Sequence, residues 1–392
     1  MLLVVVAAMA VTMQAQTVLM EQARRQAAKF LNEYRGGLHT ATPEQMKLEA
    51  QTCGCCIFNA VGGGWAITSN GNSEPRVLAY ADSGSLDGNS LPENMLAWLM
   101  AYENMVDATN ADEREDVEPM LRTQWGQDAP YNSLCPMVPG EDGQTMVHAV
   151  AGCSNVAVAQ LMNYHQWPHA SGEVAYRWPG YPDMQPQSYA TLPATTFDWE
   201  AMASSNEEGE REIAKLMQYV GFANSAVYRW DATSVYVGKM TSALASFGYD
   251  TSEEHFGVFD NIPFDDEGVY RELSAGRPVI FVVGLLDVND AHSCVADGYS
   301  KGGFYHLNWG WNGQGNGYFL FPTSTVNTGK LVSRFYVQSM ITARIKNDHA
   351  AINDVQHGES AGSAVFDLQG RRLAAKPRSG LYVKDGKKYL AR

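Results

Sequence analysis

Cys153 stands where a thiol can be made into a nucleophile. Gly152 precedes it, and the stretch Ser154 to His165 has helical composition, so the sulfur is expected at a helix N-terminus, facing the positive end of the dipole. A thiolate of this kind also needs an imidazole. Of nine histidines, His292 has the right setting, between an apolar strand-like run and a second one. It follows Cys153 by about 140 residues, inside the window of about 130–150 found for one class of thiol–imidazole hydrolases. Asn308, at the end of the strand-like Phe304-Tyr-His-Leu-Asn308, is placed to orient the ring, and the aromatics of Trp309-Gly-Trp311 are placed to shield that contact. An oxyanion formed in acyl transfer needs donors. The Cys153 N–H is one, and either Gln124 or Gln127 supplies a side-chain amide. Taken singly, each of these residues also fits an ordinary packing role.

The elements that must hold these groups can be read along the chain. An apolar run, Met1 to Ala15, is too short to span a bilayer and is expected to be a signal peptide (1–15), although no Lys or Arg precedes it. Met20 to Tyr34 is predicted as an amphipathic helix with Ala23, Ala27, Phe30, Leu31 and Tyr34 on one face. Strands are expected at Cys56–Asn59, Gly64–Thr68 and Arg76–Tyr80, and a helix over Pro92 to Val106. The acidic stretch 107–117 is expected to be an exposed linker open to proteolysis, closing a first unit at 16–116. The second unit, 117–346, has helical periodicity after Cys153, at Ile213 to Val220 and over Ser234 to Phe247. It then turns to strands at Pro278–Val283, Phe304–Asn308, Tyr318–Phe321 and Phe335–Ile345. Helices first and strands later predict an α+β domain of two lobes. A linker at 347–360 leads to a tail, 361–392, with three short strand signals.

A hydrophobic fraction of 45% is enough for real cores, and a net charge of −15 argues against nucleic acid as a partner. No later apolar run is long enough for a transmembrane segment. Six cysteines, Cys53, Cys55 and Cys56 close together and Cys135, Cys153 and Cys294 far apart, do not make a disulfide framework. The Cys53, Cys55, Cys56 cluster lacks the fourth ligand and spacing of a zinc site, so no metal and no cofactor are expected.

Several segments together resemble the streptopain family of papain-fold cysteine peptidases. They are Gln127-Asp-Ala-Pro-Tyr-Asn132, Ala151-Gly-Cys153, Ala159-Gln-Leu-Met-Asn-Tyr-His-Gln-Trp-Pro168, Gly276-Arg-Pro-Val-Ile280, Ala291-His292, Asp297-Gly298 and Phe304 to Trp311. The first unit resembles that family's propeptide through Trp65-Ala-Ile-Thr-Ser69 and Val77 to Asp87. The resemblance implies a papain-like peptidase domain behind an α+β inhibitory prodomain. It makes Cys153 the nucleophile, His292 the base and acid, Asn308 the residue that orients the ring, Gln127 rather than Gln124 the oxyanion donor, and Trp309 the cover. Implied partners are protein or peptide substrates, with a hydrophobic side chain near the scissile bond, and the chain's own prodomain as intramolecular inhibitor. The tail, Ala364 to Leu373 and Ser379 to Lys388, resembles a sorting domain of the type IX secretion route of gram-negative bacteria, implying a secreted or cell-surface protein. The chain departs from the family pattern at Asp290-Ala291, where two glycines are usual, and at Gly152-Cys-Ser-Asn155, where Gly-Cys-Val-Ala is usual. It also departs at Tyr228-Arg-Trp-Asp-Ala-Thr-Ser234, in place of a Gly/Ser-rich loop, and at Cys294, in place of an aromatic. Two rival readings follow: a non-peptide amidase or acyl transferase with the same triad, or an inactive homologue that binds or inhibits.

Overall fold

The computed structural model describes residues 19–33, 41–52, 54–70, 74–102 (save 89, 93, 94, 97, 100 and 101), 114–180, 184–255, 264–285, 291–320, 335–346 and the strands of the tail. The expected signal peptide, the first part of the acidic linker, the 347–360 linker and Cys53 lie outside these residues. Two units are separated at Ile345/Lys346.

In the larger unit, helix α1 (19–33) precedes the strands β1 (Met46–Gln51), β2 (Cys55–Ala60), β3 (Trp65–Ser69) and β4 (Val77–Ala81). After the acidic stretch come the hairpin β5 (Met137–Pro139) and β6 (Met146–His148), then helix α2 (Cys153–His165) and the two-residue strands β7 (Ala170–Ser171) and β8 (Thr195–Thr196). Helices α3 (Glu207–Ala223) and α4 (Val237–Ser246) lead to β9 (Tyr249–His255), and helix α5 (Asp266–Ser274) leads to β10 (Val279–Leu285). Strands β11 (Ala291–Ser300), β12 (Phe304–Asn308), β13 (Gly317–Leu320) and β14 (Phe335–Ile345) complete the unit. Ten of these strands form one antiparallel sheet in the order β1-β2-β3-β4-β13-β12-β11-β10-β14-β9.

Alternation along a strand explains how this sheet separates two cores. Ile280 and Val282 of β10 turn to one face, where Val156, Leu161, Leu216 and Leu244 of helices α2, α3 and α4 cover them. Val279, Phe281 and Val283 turn to the other, into a core that also holds Ala23, Ala27 and Leu31 of α1 and Ile57 and Phe58 of β2. The first unit read from the sequence is therefore joined to the second both by packing and by the sheet. Tyr318 and Phe319 of β13 pair with Tyr80 and Ala79 of β4. Helix α3 starts where Asn206 Oδ1 accepts from the Gly209 N–H, with Glu207, Glu208 and Glu210 in the first turn, the charge that end of a helix favours.

The acidic stretch is not free along its whole length. Asp116 Oδ1 accepts from the Lys301 N–H (2.7 Å), Val117 exchanges backbone hydrogen bonds with Tyr299, and Arg114 pairs with Asp266 at 2.5 Å. Residues 114–117 are thus docked on the sheet lobe.

Glu272 on α5 is buried and accepts from Arg277 (2.6 and 3.1 Å) and Arg344 (2.6 Å), tying α5 to β14. Burial pushes its carboxyl up, but the two guanidiniums outweigh this and hold it below the ordinary 4.5. A depressed carboxyl adds stability above its unfolded value, and that contribution is lost as pH falls through the folded value. Glu272→Gln should therefore cost about 2 kcal/mol at neutral pH. The difference in Tm from the parent should vanish in strong acid, as measured by thermal unfolding across pH.

In the tail, β15 (Val365–Phe366), β16 (Arg372–Leu373), β17 (Gly380–Lys384) and β18 (Lys387–Ala391) form a separate antiparallel sheet in the order β16-β15-β17-β18. The protein is thus an α+β fold, a ten-stranded sheet between two cores, with a separate small β appendage.

Candidate active site

Helix α2 is buried over most of its length, from Ser154 to Met162, and anchors the residue at its start. Gly152 precedes that residue with φ +88°, and a Cβ added there would lie 2.7 Å from the Thr233 carbonyl oxygen. Only glycine combines this conformation with this closeness. Asn155 Nδ2 donates to the Ala151 carbonyl, and Asn224 Nδ2 donates to Asn155 Oδ1, both at 2.7 Å, bracing the turn from behind. Gly152 at the N-cap gives the first turn no side-chain cap.

His292 comes from the other lobe, as the second residue of β11, and is 3% exposed. Its Nε2 lies 2.8 Å from the Trp309 carbonyl oxygen. A carbonyl only accepts, so Nε2 carries the proton, and in the neutral ring the Nδ1 lone pair is left for the thiol. Trp311 lies over the imidazole at 4.5 Å between ring centres, and Trp309 stacks on Trp311 at 5.0 Å and 5°.

Burial alone pushes the Cys153 thiol up. The charge and hydrogen bond of His292, the Ser293 N–H and the Ser154 hydroxyl outweigh it and hold the thiol below its ordinary 9.0. Burial instead pushes Cys135 up to about 12 and Cys294 higher still. Cys55 and Cys56 are buried as well. Among the described cysteines Cys153 is thus the one whose surroundings favour a thiolate.

The hydrogen bond expected between Asn308 and His292 is not the one formed. The register of β11 against β12 sets Asn308 opposite Val295, three residues past His292. Asn308 Nδ2 donates to the Thr123 carbonyl (2.8 Å), and Oδ1 accepts from Gln160 Nε2 (3.2 Å) and the Gly310 N–H (3.1 Å). Asn308 shapes the turn that delivers the Trp309 carbonyl, and that carbonyl holds the ring. Sequence reasoning missed it because a main-chain oxygen has no residue type to betray it. Trp309 is fully buried beneath Trp311, which is the nearer cover.

Gln127 is half-buried, and its carbonyl accepts from the Ala151 N–H at 2.7 Å, which fixes it beside the turn that carries Cys153. Gln124 is exposed and runs along Gly313. Among the described residues no group of three or more His, Cys, Asp or Glu side chains is placed to hold a metal ion. No described helix is long and apolar enough to cross a membrane.

A half-exposed thiol at a helix start against a tautomer-fixed imidazole is an arrangement for acyl transfer. Residues 125–319 match the peptidase C10 family, and residues 15–106 match the Spi protease inhibitor family. Streptopain of Streptococcus pyogenes is 29% identical over 305 residues, covering 70% of this chain and 76% of its own. The thiol protease/hemagglutinin PrtT of Porphyromonas gingivalis is 26% identical over 303 residues, 68% of this chain but 33% of its own. A prointerpain A fragment of Prevotella intermedia shares the fold, with a TM-score of 0.59 at 24% identity over 76% of this chain and 98% of that one. With a fold, a thiol–imidazole site and a leading segment that all agree, residues 125–319 are a papain-fold cysteine peptidase domain that matches the peptidase C10 family of streptopain, and the chain is made as a precursor.

Proposed function

We propose that this is a secreted cysteine endopeptidase that cleaves extended protein chains through an acyl-enzyme. The observation that carries the reading is the Cys153 thiol set against an imidazole whose other nitrogen is fixed by the Trp309 carbonyl. The thiol proton passes to His292 Nδ1, and the thiolate sulfur adds to the scissile carbonyl. The oxyanion is met by the Cys153 N–H and the Gln127 side-chain amide. As the tetrahedral centre collapses, the C–N bond breaks and His292 gives its proton to the leaving amine. Water, deprotonated by the same ring, then adds to the thioester, and the carboxylate product leaves as the sulfur recovers its proton. Incubating the full chain with casein under reducing conditions should yield new internal peptide termini, and a peptidyl electrophile should block this by labelling Cys153 alone. Intact casein once the acidic stretch has been cut, or blockade through another residue, would refute the reading.

The segment ahead of the peptidase is its inhibitor in this reading. Trp98 is fully buried, with its ring edge on Trp309 at 5.5 Å, and the Tyr102 hydroxyl donates to the Leu320 carbonyl at 2.7 Å. Activation is assigned to a cut in the acidic stretch before Arg114, since residues 114–117 are docked. Trp98→Ala, a truncation that costs about 3–5 kcal/mol in a packed core, should let the uncut chain hydrolyse casein from the first minutes. Latency equal to the parent's would remove the inhibitory role. Residues 1–15 serve export, and the β appendage serves sorting through a type IX route.

A further inference from the structure

The side chains that directly follow the two reacting residues meet each other. Ser154 Oγ of α2 and Ser293 Oγ of β11 lie 2.9 Å apart, and both residues are buried, at 8% and 3% exposure. Alternation along β11 explains the meeting: Ser293 shares a face with Val295, which packs in the core of α2. The bond therefore bridges the two lobes directly behind the thiol.

A hydroxyl has one proton and can also accept. In a buried serine pair one proton is used between the partners, and the other remains for a third group. We infer that Ser293 donates to Ser154, and Ser154 donates to the Cys153 sulfur, so that the pair is a two-hydroxyl relay that stabilises the thiolate and fixes its distance from the imidazole. Ser154 is the donor that touches sulfur, and Ser293 is the positioning residue that orients it. The low thiol pKa draws on the Ser154 hydroxyl, in agreement with this direction of donation. The other titratable group acting on the sulfur is His292, while burial and the neighbouring Cys153 keep Cys294 protonated. The relay also gives a role to Ser154, which stands where Val is expected.

The inference rests on Cys153 being the nucleophile, and one experiment separates the two. Cys153 in the full chain is alkylated with iodoacetamide from pH 4 to 10, and its peptide is quantified by mass spectrometry, together with casein hydrolysis. For Ser154→Ala the midpoint should rise by about one pH unit. Below both midpoints the thiolate is about tenfold scarcer but more nucleophilic, leaving alkylation about threefold slower, and on the alkaline plateau it should be about threefold faster. Ser293→Ala should move the midpoint less and in the same direction, the double variant no further than Ser154→Ala, and Ser154→Thr should restore the parent profile. Variants that lose casein hydrolysis with an unmoved alkylation profile would show a plain structural tie and overturn the relay. A parent Cys153 with the profile of an ordinary thiol would overturn the nucleophile assignment itself.

Discussion

Cys153→Ala should lower casein hydrolysis by about four to six orders of magnitude while leaving the chain folded. The size follows from removing a covalent nucleophile, because the remaining oxyanion donors and binding contacts accelerate water only weakly. Folding should survive, because alanine is a good helix former and the thiol makes no disulfide. His292→Ala should cost nearly as much. The double variant should cost no more than the worse single one, since thiol and ring act as one unit. N-terminal sequencing of the incubated Cys153→Ala chain adds a second result: an uncut precursor, beside a cut parent, means self-processing. Casein hydrolysis at the parent's rate would remove Cys153 from the mechanism.

Gly152→Ala should be the substitution most damaging to catalysis outside the reacting pair, with about a hundredfold loss of kcat/KM and a stability loss of about 2–4 kcal/mol. At φ +88° and ψ 138° the backbone occupies a region that a side chain strongly disfavours. The new methyl would also meet the Thr233 carbonyl at 2.7 Å, and that loop cannot retreat freely, because the Arg229 carbonyl accepts from the Val150 N–H and Val227 is bridged to Ser234. Relief must come from shifting the start of α2, which moves the sulfur away from His292. A variant with normal kcat/KM and Tm would show that this turn is soft.

How well the sequence disclosed each element depended on whether burial had imposed a pattern on it. Strand β12 matches its predicted range, and β10 lies within a residue or two of its own, because buried strands must be apolar; β14 matches its range as well. The two outer strands of the large sheet escaped notice. Met46–Gln51 carries Lys and Glu, and Tyr249–His255 carries Asp and two Glu, so both have the composition of exposed loops. Charge on an edge strand discourages pairing with a further chain, and it also hides the strand. At the site, Cys153 and His292 were legible by type and order. The ring's true partner was not, because a bulge near Ala296 and the pairing of Val295 with Asn308 decide which atom reaches it.

Strands β4 and β13 join segments far apart in the chain, which bears on the latency proposed above. The pairing partners are near-opposite ends of the unit, so this contact has a high contact order and closes late. In N-to-C synthesis strands β1 to β4 emerge first, and the free edge of β4 must wait for β13. That strand also completes the sheet beside β12, whose end leads into the turn that bears the Trp309 carbonyl. If the leading segment is the inhibitor proposed above, its attachment and the support of the Trp309 turn then share a single strand.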